Sequence, residues 1–379
     1  MKLQLNDWLP AALEAGCLSE VQPLACFVDI AGVADAVNAL QTAFPGDFHH
    51  AFAAKANAMR PALQLVRDLG MGCEVASHGE LEQALKAGFA PSDIVHDDPA
   101  KTRTLLKRLL DLGVGINLDN FQELDRVAAL LEGRDGASPI GLRINPQVGA
   151  GTISAMSTAT SESKFGIALR EPDNRERLID AFERYPWLTG LHCHVGSQGC
   201  ALELMGAGIR AIVDLAADIE SRLGSGRVSA IDIGGGLPVN FDGDEVTPTY
   251  AEVAAYLEGE VPELFSGRYR VTTECGRSLF AKNGFIVSRV EYTKQSGDRH
   301  IAITHAGGQV ATRTVFMPGQ WPVRVKVFDA EGREKTGPLV EQDIAGPLCF
   351  SGDLVARARR LPRTEPGDLV VLPDTGAYY

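Results

Sequence analysis

The feature that most constrains the fold is a rhythm of short apolar segments that alternate with amphipathic ones. Eight apolar segments are typical of buried strands, and they occupy residues 51–55, 72–76, 94–96, 115–118, 140–144, 188–192, 230–233 and 269–273. Between them, apolar residues three and four positions apart predict helices, among them residues 79–87, 102–112, 122–131, 175–184, 204–223 and 250–264. Eight alternating units predict a parallel (β/α)8 barrel, although a doubly wound open sheet would give a similar rhythm.

The rhythm changes after about residue 275. Strand-like segments joined by turn residues follow there, with little helical pattern, at residues 285–292, 299–304, 322–328, 339–342 and 368–372. We therefore predict a barrel at residues 29–275 and an all-β domain, a sandwich or barrel, at residues 276–379. Residues 1–28 form a lead-in whose strand, at residues 24–30, is expected to join the β domain.

Composition narrows the function classes. The net charge of −13 over 379 residues argues against nucleic acid or an anionic membrane as a partner. No apolar run approaches the roughly 20 residues of a membrane span, and the first residues do not have the pattern of a secretory signal. Seven cysteines without a CxxC pair do not indicate a disulfide framework or a zinc site, so we expect a cytoplasmic protein.

Lys55 ends the apolar segment that begins at residue 51. In a barrel, reactive groups lie at the C-terminal ends of the strands. A buried ammonium is costly, and a neutral amine is the nucleophile that forms Schiff bases with carbonyls and with pyridoxal phosphate. On this segment alone, a lysine that extends its ammonium to water is the better interpretation.

Other strand ends carry polar groups as well. Gly234, Gly235 and Gly236 let backbone N–H groups approach an oxyanion, and Arg277 after the next strand suits the same phosphate, whereas a glycine triplet alone would predict only a turn. His192 and His194 alternate along one strand and share a face, which is compatible with a metal or with stacking on an aromatic cofactor. Glu274 could then pair with a ring nitrogen of such a cofactor.

These residues belong to a series of motifs that resembles the fold-type III pyridoxal phosphate-dependent decarboxylases, the diaminopimelate and ornithine decarboxylase family. In chain order the motifs are FAAKAN (52–57), EVAS-GE (74–80), KFG (164–166), HVGSQ (194–198), GGG (234–236), E-GRS (274–278), C-SGD (349–353) and DTGAY (374–378). The resemblance covers nearly the whole chain. It implies a cofactor-binding (β/α)8 barrel followed by a β domain, and a homodimer with active sites shared between the two copies.

The resemblance also implies roles for individual residues. Lys55 would hold pyridoxal phosphate covalently, His194 would stack on its ring, and Glu274 would pair with its pyridine nitrogen. Cys349 of the partner copy would return a proton after carbon dioxide leaves. The other cofactor contacts would come from Glu74, which replaces the usual aspartate, from Arg143 near the phenolic oxygen, and from Ser197, Gly234, Gly235, Gly236, Arg277 and Tyr378 at the phosphate. Arg277 and Arg313 would contact the substrate.

Two departures from the family pattern concern the substrate. Phe350 follows Cys349 where the family has a carboxylate for the distal amino group, and burying an ammonium against phenylalanine would cost several kcal/mol. Met317 stands where diaminopimelate decarboxylases have a tyrosine four residues after Arg313. We therefore expect a substrate whose distal end is not a free ammonium, such as a citryl or otherwise acylated diamino acid of the kind used in siderophore biosynthesis. Arg313 and Arg324 are candidates for a distal carboxylate.

Three alternatives remain open from the sequence. The first is decarboxylation of meso-diaminopimelate itself, in lysine biosynthesis. The second is an alanine racemase-like enzyme, against which the Cys349 motif argues. The third is a non-catalytic relative or a pyridoxal phosphate carrier, a class that often loses the lysine or the cysteine, whereas both are present here.

Overall fold

The computed structural model of the chain describes residues 5–133 and 138–379. The strands in this part of the chain are β1 (Leu24–Val28), β2 (His49–Ala53), β3 (Gly72–Val75), β4 (Ile94–His96), β5 (Gly115–Leu118), β6 (Ile140–Asn145), β7 (Ile167–Ala168), β8 (Leu188–His192), β9 (Ala230–Asp232), β10 (Arg270–Cys275), β11 (Gly284–Ser296), β12 (Arg299–Thr304), β13 (Lys326–Phe328), β14 (Leu339–Ala345), β15 (Leu354–Pro362) and β16 (Leu369–Leu372).

The helices alternate with these strands through the first two thirds of the chain. They are α1 (Leu5–Glu14), α2 (Ile30–Ala43), α3 (Arg60–Asp68), α4 (His78–Ala87), α5 (Arg103–Leu112), α6 (Phe121–Leu131), α7 (Asn174–Arg184), α8 (Leu202–Leu223), α9 (Tyr250–Glu260), α10 (Arg277–Phe280) and α11 (Thr312–Phe316). No helix of the described residues is long and apolar enough to cross a membrane.

Eight parallel strands close into a barrel. They pair in the order β5, β4, β3, β2, β10, β9, β8 and β6, and β6 pairs again with β5 to complete the circle, while the short β7 adds to the edge of β6. Strands β3, β5 and β6 are buried along their whole length because helices cover the outside of the barrel. The predicted barrel is confirmed, and the alternative of an open sheet is excluded.

Local sequence signals explain where the barrel helices begin and end. Ser77, Thr102 and Asn120 each accept a hydrogen bond from the backbone N–H three residues later, at the starts of α4, α5 and α6. Gly88 and Gly113 end α4 and α5 with positive φ angles of 93° and 79°, a conformation that glycine adopts without strain. These ends determine where each strand begins, and therefore where the chain reaches the barrel rim.

The remaining strands form a second sheet, with the order β13, β16, β11, β12, β14 and β15, and with β1 paired to β11. Strand β11 connects both parts of this sheet. Its first half pairs with β1 and β16, and after an irregularity between Val290 and Tyr292 its second half pairs with β12. Neighbouring residues Ile286 and Val287 point into separate apolar clusters, as alternation along a strand requires. Most pairs are antiparallel; β12 and β14 are parallel.

The chain divides into two compact units. One contains residues 36–239 and 247–278, and therefore the barrel; the other contains residues up to Asp35, residues 240–246 and residues 279–379, and therefore the second sheet.

The predicted strand at 51–55 was wrong at its end, because β2 stops at Ala53 and Lys55 lies in a 3-10 turn at Ala54–Ala56. Strand β15 was missed, since its arginine-rich sequence has little apolar alternation.

Candidate active site

Lys55 lies in the turn that follows β2. Its ammonium forms an ion pair with Glu74, which is fully buried near the end of the neighbouring strand β3. The Lys55 side chain is 38% exposed, so the amine faces the open end of the barrel and does not lie inside the core. The parallel register, in which Ala53 is opposite Glu74, brings the two groups together. The barrel therefore presents a lysine amine beside a buried carboxylate.

Burial controls the protonation of Glu74. Burial has the largest effect, and together with the charges of Glu274 and Asp97 it outweighs the Lys55 ammonium, so the pKa of the Glu74 carboxyl is raised to about 8. One carboxylate oxygen, Oε1, is buried without a hydrogen bond among the described residues. A carboxylate of this kind can exchange a proton with the neighbouring amine near neutral pH. The pair is thus suited to a lysine that must alternate between ammonium and amine.

His194 follows β8 and is fixed by the loop after β9. The backbone N–H of Gly235 donates to His194 Nδ1 at 3.2 Å, so this nitrogen is the unprotonated one. The pKa of His194 is lowered to about 3, mainly by burial and then by the Arg143 guanidinium. The ring is therefore a neutral, flat surface at neutral pH, as stacking on an aromatic group requires.

The glycine triplet forms a tight crossing of backbones. A Cβ atom on Gly235 would lie 1.9 Å from the Glu274 carbonyl oxygen, and one on Gly236 would lie 1.7 Å from the Gly196 carbonyl oxygen. Two of its N–H groups already donate, from Gly234 to Asp232 Oδ1 at 2.9 Å and from Gly235 to His194. Among the described residues Gly236 N–H has no such partner, and Ser197 lies beside it. The phosphate role of the triplet remains a prediction.

Glu274 lies on β10 within a buried network of charges. His192 Nε2 is 3.7 Å from Glu274 Oε2, His192 Nδ1 is 3.8 Å from Asp97 Oδ1, and Arg143 Nη1 donates to Asp97 Oδ2 at 2.7 Å. Burial raises the pKa of Glu274, but His192 and Lys55 outweigh burial and hold it below its usual range. The carboxylates of this group and His192 are spaced as metal ligands could be. Arg143 already supplies a cation to Asp97, so we interpret the group as an ion-pair network.

Asp97 was missed by the sequence reasoning, although its position carried a signal. It directly follows β4, at the end of a barrel strand where functional groups are expected. Arg277, by contrast, was predicted, and it is buried after the end of β10, next to Gly276, where an added Cβ would lie 2.9 Å from Ala56 Cβ and 3.1 Å from Ala53 Cβ. The barrel thus brings together most of the predicted cofactor residues, namely Lys55, Glu74, Arg143, His194, Ser197, Gly234, Gly235, Gly236, Glu274 and Arg277.

The other predicted residues lie in the second unit, and two of them, Cys349 and Phe350, are in an exposed loop at residues 346–353. Cys349 is exposed in this loop. Asp353 closes the loop, because its Oδ1 accepts from Gly308 N–H at 2.6 Å and its Oδ2 accepts from Leu348 N–H at 2.8 Å. Asp353 is buried, and both of its oxygens are used by the backbone. The loop therefore has a fixed shape and no free carboxylate.

Phe350 stacks on Phe316, with ring centroids 5.5 Å apart and an angle of 11° between the planes. Both rings are exposed, as are Leu348 and Met317, so the surface around Cys349 is apolar. The Arg313 guanidinium lies 5.1 Å from the Trp321 ring and 4.9 Å from the Tyr378 ring. Its Nη1 is buried without a hydrogen bond among the described residues.

Comparison with known protein families agrees with these features. Residues 30–281 match the family described as "Pyridoxal-dependent decarboxylase, pyridoxal binding domain". The chain is 34% identical to a diaminopimelate decarboxylase of Pseudomonas fluorescens, over 86% of this chain and 76% of that protein. It is 32% identical to the enzyme of the same name from Pseudomonas aeruginosa, again over 86% of this chain and 76% of that protein.

Solved structures give the same result for the fold. The diaminopimelate decarboxylase of Helicobacter pylori, complexed with L-lysine, superposes with a TM-score of 0.83 at 25% identity, over 97% of this chain and 89% of that one. A lysine/ornithine decarboxylase from Vibrio vulnificus, complexed with cadaverine, superposes with a TM-score of 0.79 over 97% of this chain and 93% of that one. Its identity of 21% supports a likeness of fold alone.

Proposed function

We propose that this chain, which belongs to the pyridoxal-dependent decarboxylase family, removes the α-carboxylate of an amino acid whose distal end is not a free ammonium. The broader activity is clear from its relatives: the chain is a pyridoxal phosphate-dependent amino-acid decarboxylase, a carboxy-lyase. The racemase and the non-catalytic alternatives are therefore set aside. What remains to be proposed is the substrate and the roles of individual residues.

The barrel residues fit the cofactor. Glu74 and Glu274 each keep one buried carboxylate oxygen without a hydrogen bond among the described residues, and these atoms can accept from a bound group. Lys55 supplies the amine for covalent attachment, and His194 supplies the neutral ring surface. Ser197, Gly236 and Arg277 are the residues that would hold the phosphate. Glu74, Arg143 and Tyr378 complete the proposed set.

Different residues of this chain would carry out the separate proton transfers of the reaction. When bound, pyridoxal phosphate accepts the electron pair that the breaking Cα–carboxylate bond releases. Glu274, held ionised, would keep a proton on the ring nitrogen. Glu74 would take and return the proton of Lys55 as the substrate amine replaces it and the product leaves. Cys349, with its thiol, would donate the proton to the substrate carbon.

The observation that carries the substrate proposal is the apolar loop around Cys349, which has no carboxylate available to a ligand. Phe350 occupies the position next to the proposed proton donor and stacks on Phe316. Asp353 is the loop's carboxylate, and it is already used by two backbone N–H groups. A free distal ammonium at this surface would lose water without gaining an anion, which costs several kcal/mol. An acylated end, with apolar or amide character, would not incur that cost.

Arg313 supports a carboxylate on the same distal end. Its planar cation lies between two aromatic rings and retains a buried donor for an anion. Arg324, the other predicted candidate, already pairs with Asp374 at 2.8 Å and with Asp244 at 2.6 Å. Arg313 is therefore the better candidate, and a citryl-type acyl group, which carries carboxylates, is the chemistry that we favour.

A second candidate is diaminopimelate itself. The observation in its favour is that relatives 31% to 34% identical to this chain are named diaminopimelate decarboxylase. Their substrate also carries a distal carboxylate, for which Arg313 is equally suitable. The two candidates differ at the distal amine, free in one and acylated in the other, so Phe350 is the residue that distinguishes them.

A substrate panel with a matched variant tests the proposal. We expect purified enzyme to release carbon dioxide from a citryl or acetyl diamino acid with a kcat/KM at least about tenfold above that for meso-diaminopimelate. In Phe350→Glu this preference should fall or reverse, because the new carboxylate can pair with a free ammonium. Tyr292→Glu, at an exposed aromatic residue of β11, is the control and should leave the preference unchanged. Equal or faster turnover of meso-diaminopimelate by the unaltered enzyme would refute it.

We infer further that the enzyme works as a homodimer in the cytoplasm. The resemblance to the family supports the dimer, in which the barrel of one copy and the Cys349 loop of the other complete a site. The cysteine content supports a reducing compartment.

A further inference from the structure

His192 is fully buried on β8 and lies between carboxylates from two other strands. Its Nδ1 is 3.8 Å from Asp97 Oδ1, and its Nε2 is 3.7 Å from Glu274 Oε2. These distances exceed a hydrogen bond, but they are close enough for a strong interaction between charges in a dry interior. A neutral imidazole has one N–H, whereas an imidazolium has two and can face both carboxylates.

The surrounding charges favour the imidazolium. Arg143 pairs with Asp97, so the charges alternate in sign along the row of side chains Arg143, Asp97, His192 and Glu274. This alternation leaves little net charge in the buried interior. Asp232 lies opposite His192 on β9, and burial together with Glu274 raises its pKa well above the usual range. A protonated Asp232 adds no charge to this row of side chains. The network therefore holds two buried cations, Arg143 beside Asp97 and His192 beside Glu274.

This arrangement leaves one Glu274 oxygen for a ligand. Oε2 faces His192, while Oε1 is buried without a hydrogen bond among the described residues. If Glu274 were protonated, Oε1 or Oε2 would carry a hydrogen and the carboxyl would be a poorer acceptor for a protonated ring nitrogen. A fixed cation at Oε2 prevents that protonation and also orients the carboxylate plane.

We propose that His192, held as an imidazolium by Asp97, is a positioning residue that keeps Glu274 ionised and aimed at the cofactor. The proposal rests on the role given above to Glu274. It does not depend on which amino acid is the substrate. Without His192, Glu274 would share the interior with Asp97 and Glu74 and would take up a proton.

Two variants and a matched control test this. His192→Gln preserves hydrogen-bonding ability but removes the cation, and Asp97→Asn removes its anchor. His96→Gln is the control, because His96, on strand β4, is equally buried and has no described contact with Glu274. Selective 15N-histidine and 13C-glutamate labelling report the protonation of His192 and Glu274 by NMR in protein without cofactor. The charged and titratable groups that face His192 are Asp97, Arg143, His194, Asp232 and Glu274.

We expect a doubly protonated His192 and an ionised Glu274 near neutral pH in the unaltered protein. His192→Gln should move the Glu274 titration upward by about one pH unit or more, and should lower kcat about tenfold with KM within about twofold. Asp97→Asn should likewise raise the pH at which Glu274 titrates and should likewise lower kcat. A neutral His192, or an unchanged Glu274 titration in His192→Gln, would overturn the proposal, as would equal effects in His96→Gln. If Glu274→Gln left kcat unchanged while the NMR result held, the assigned role of Glu274 would fail instead.

Discussion

At the scale of single residues, His192 links the charge network to the stability of the enzyme. Burial lowers its pKa, but the charges led by the Asp97 and Glu274 carboxylates outweigh burial and raise the pKa to about 9 from 6.5. A raised pKa means that the folded protein binds the proton more tightly. The stabilisation is therefore complete below about pH 6.5 and is lost as the pH rises through 9.

We expect the free energy of unfolding of the cofactor-free enzyme to fall between pH 6.5 and 9. The contribution of His192 is of the order of 3 kcal/mol, because each pKa unit corresponds to about 1.4 kcal/mol. Glu74, whose pKa is raised to about 8, adds a further fall in the free energy of unfolding as the pH rises towards 8. Urea unfolding across this range, compared between the unaltered protein and His192→Gln, isolates the histidine. Parallel curves for the two proteins would contradict the assignment.

At the scale of elements, the loop after β9 depends on how closely its backbone approaches β10. A Cβ on Gly235 would meet the Glu274 carbonyl oxygen at 1.9 Å, so one of the two segments must move. Gly235→Ala should lower the free energy of unfolding by about 1–3 kcal/mol. It should also weaken pyridoxal phosphate binding, because His194 and Glu274 both contact this loop.

Gly259→Ala is the matched control for this element. Gly259 lies in α9, and a Cβ there meets nothing within 4 Å, so alanine should leave the stability unchanged or raise it by up to about 1 kcal/mol. Denaturant unfolding and cofactor titration measure both variants. A Gly235→Ala protein as stable as the control, with unchanged cofactor affinity, would show that the loop can relax.

At the scale of the whole molecule, the proposed homodimer predicts complementation between inactive variants. Lys55→Ala removes the amine in the barrel, and Cys349→Ala removes the proposed proton donor in the second unit. If two copies complete one site, a mixed dimer contains one site with both residues intact, and coexpressed variants should regain part of the activity that neither has alone.

A pair of barrel variants is the control for complementation. Lys55→Ala and Glu274→Gln lie in the same unit, so no mixed dimer restores a complete barrel, and this pair should stay inactive. Decarboxylation assays on mixtures whose subunit exchange is verified by mass spectrometry make the comparison. Mixed dimers of Lys55→Ala and Cys349→Ala without activity would exclude a shared site.

The sequence alone was sufficient to predict the barrel, and it grouped the proposed cofactor residues at the ends of the barrel strands. Buried parallel strands have continuous apolar segments, and parallel strands place their C-terminal ends on one rim, so Lys55, Glu74, His194 and Glu274 could be grouped without coordinates. Phe350 could likewise be recognised as a departure from the family pattern. Local signals of this kind depend on residues close together in the chain.

Only the tertiary structure revealed the charge network and the state of the loops. Arg143, His192 and Glu274 come from three different strands and Asp97 directly follows a fourth, and their protonation depends on distances and burial that no local pattern encodes. The same is true of Asp353, whose carboxylate the backbone uses, and of Gly235, whose amide holds His194. The sequence by itself therefore determined which chemical groups reach the barrel rim. Their charges and partners were decided by packing, because electrostatic energies in a dry interior depend on three-dimensional separation.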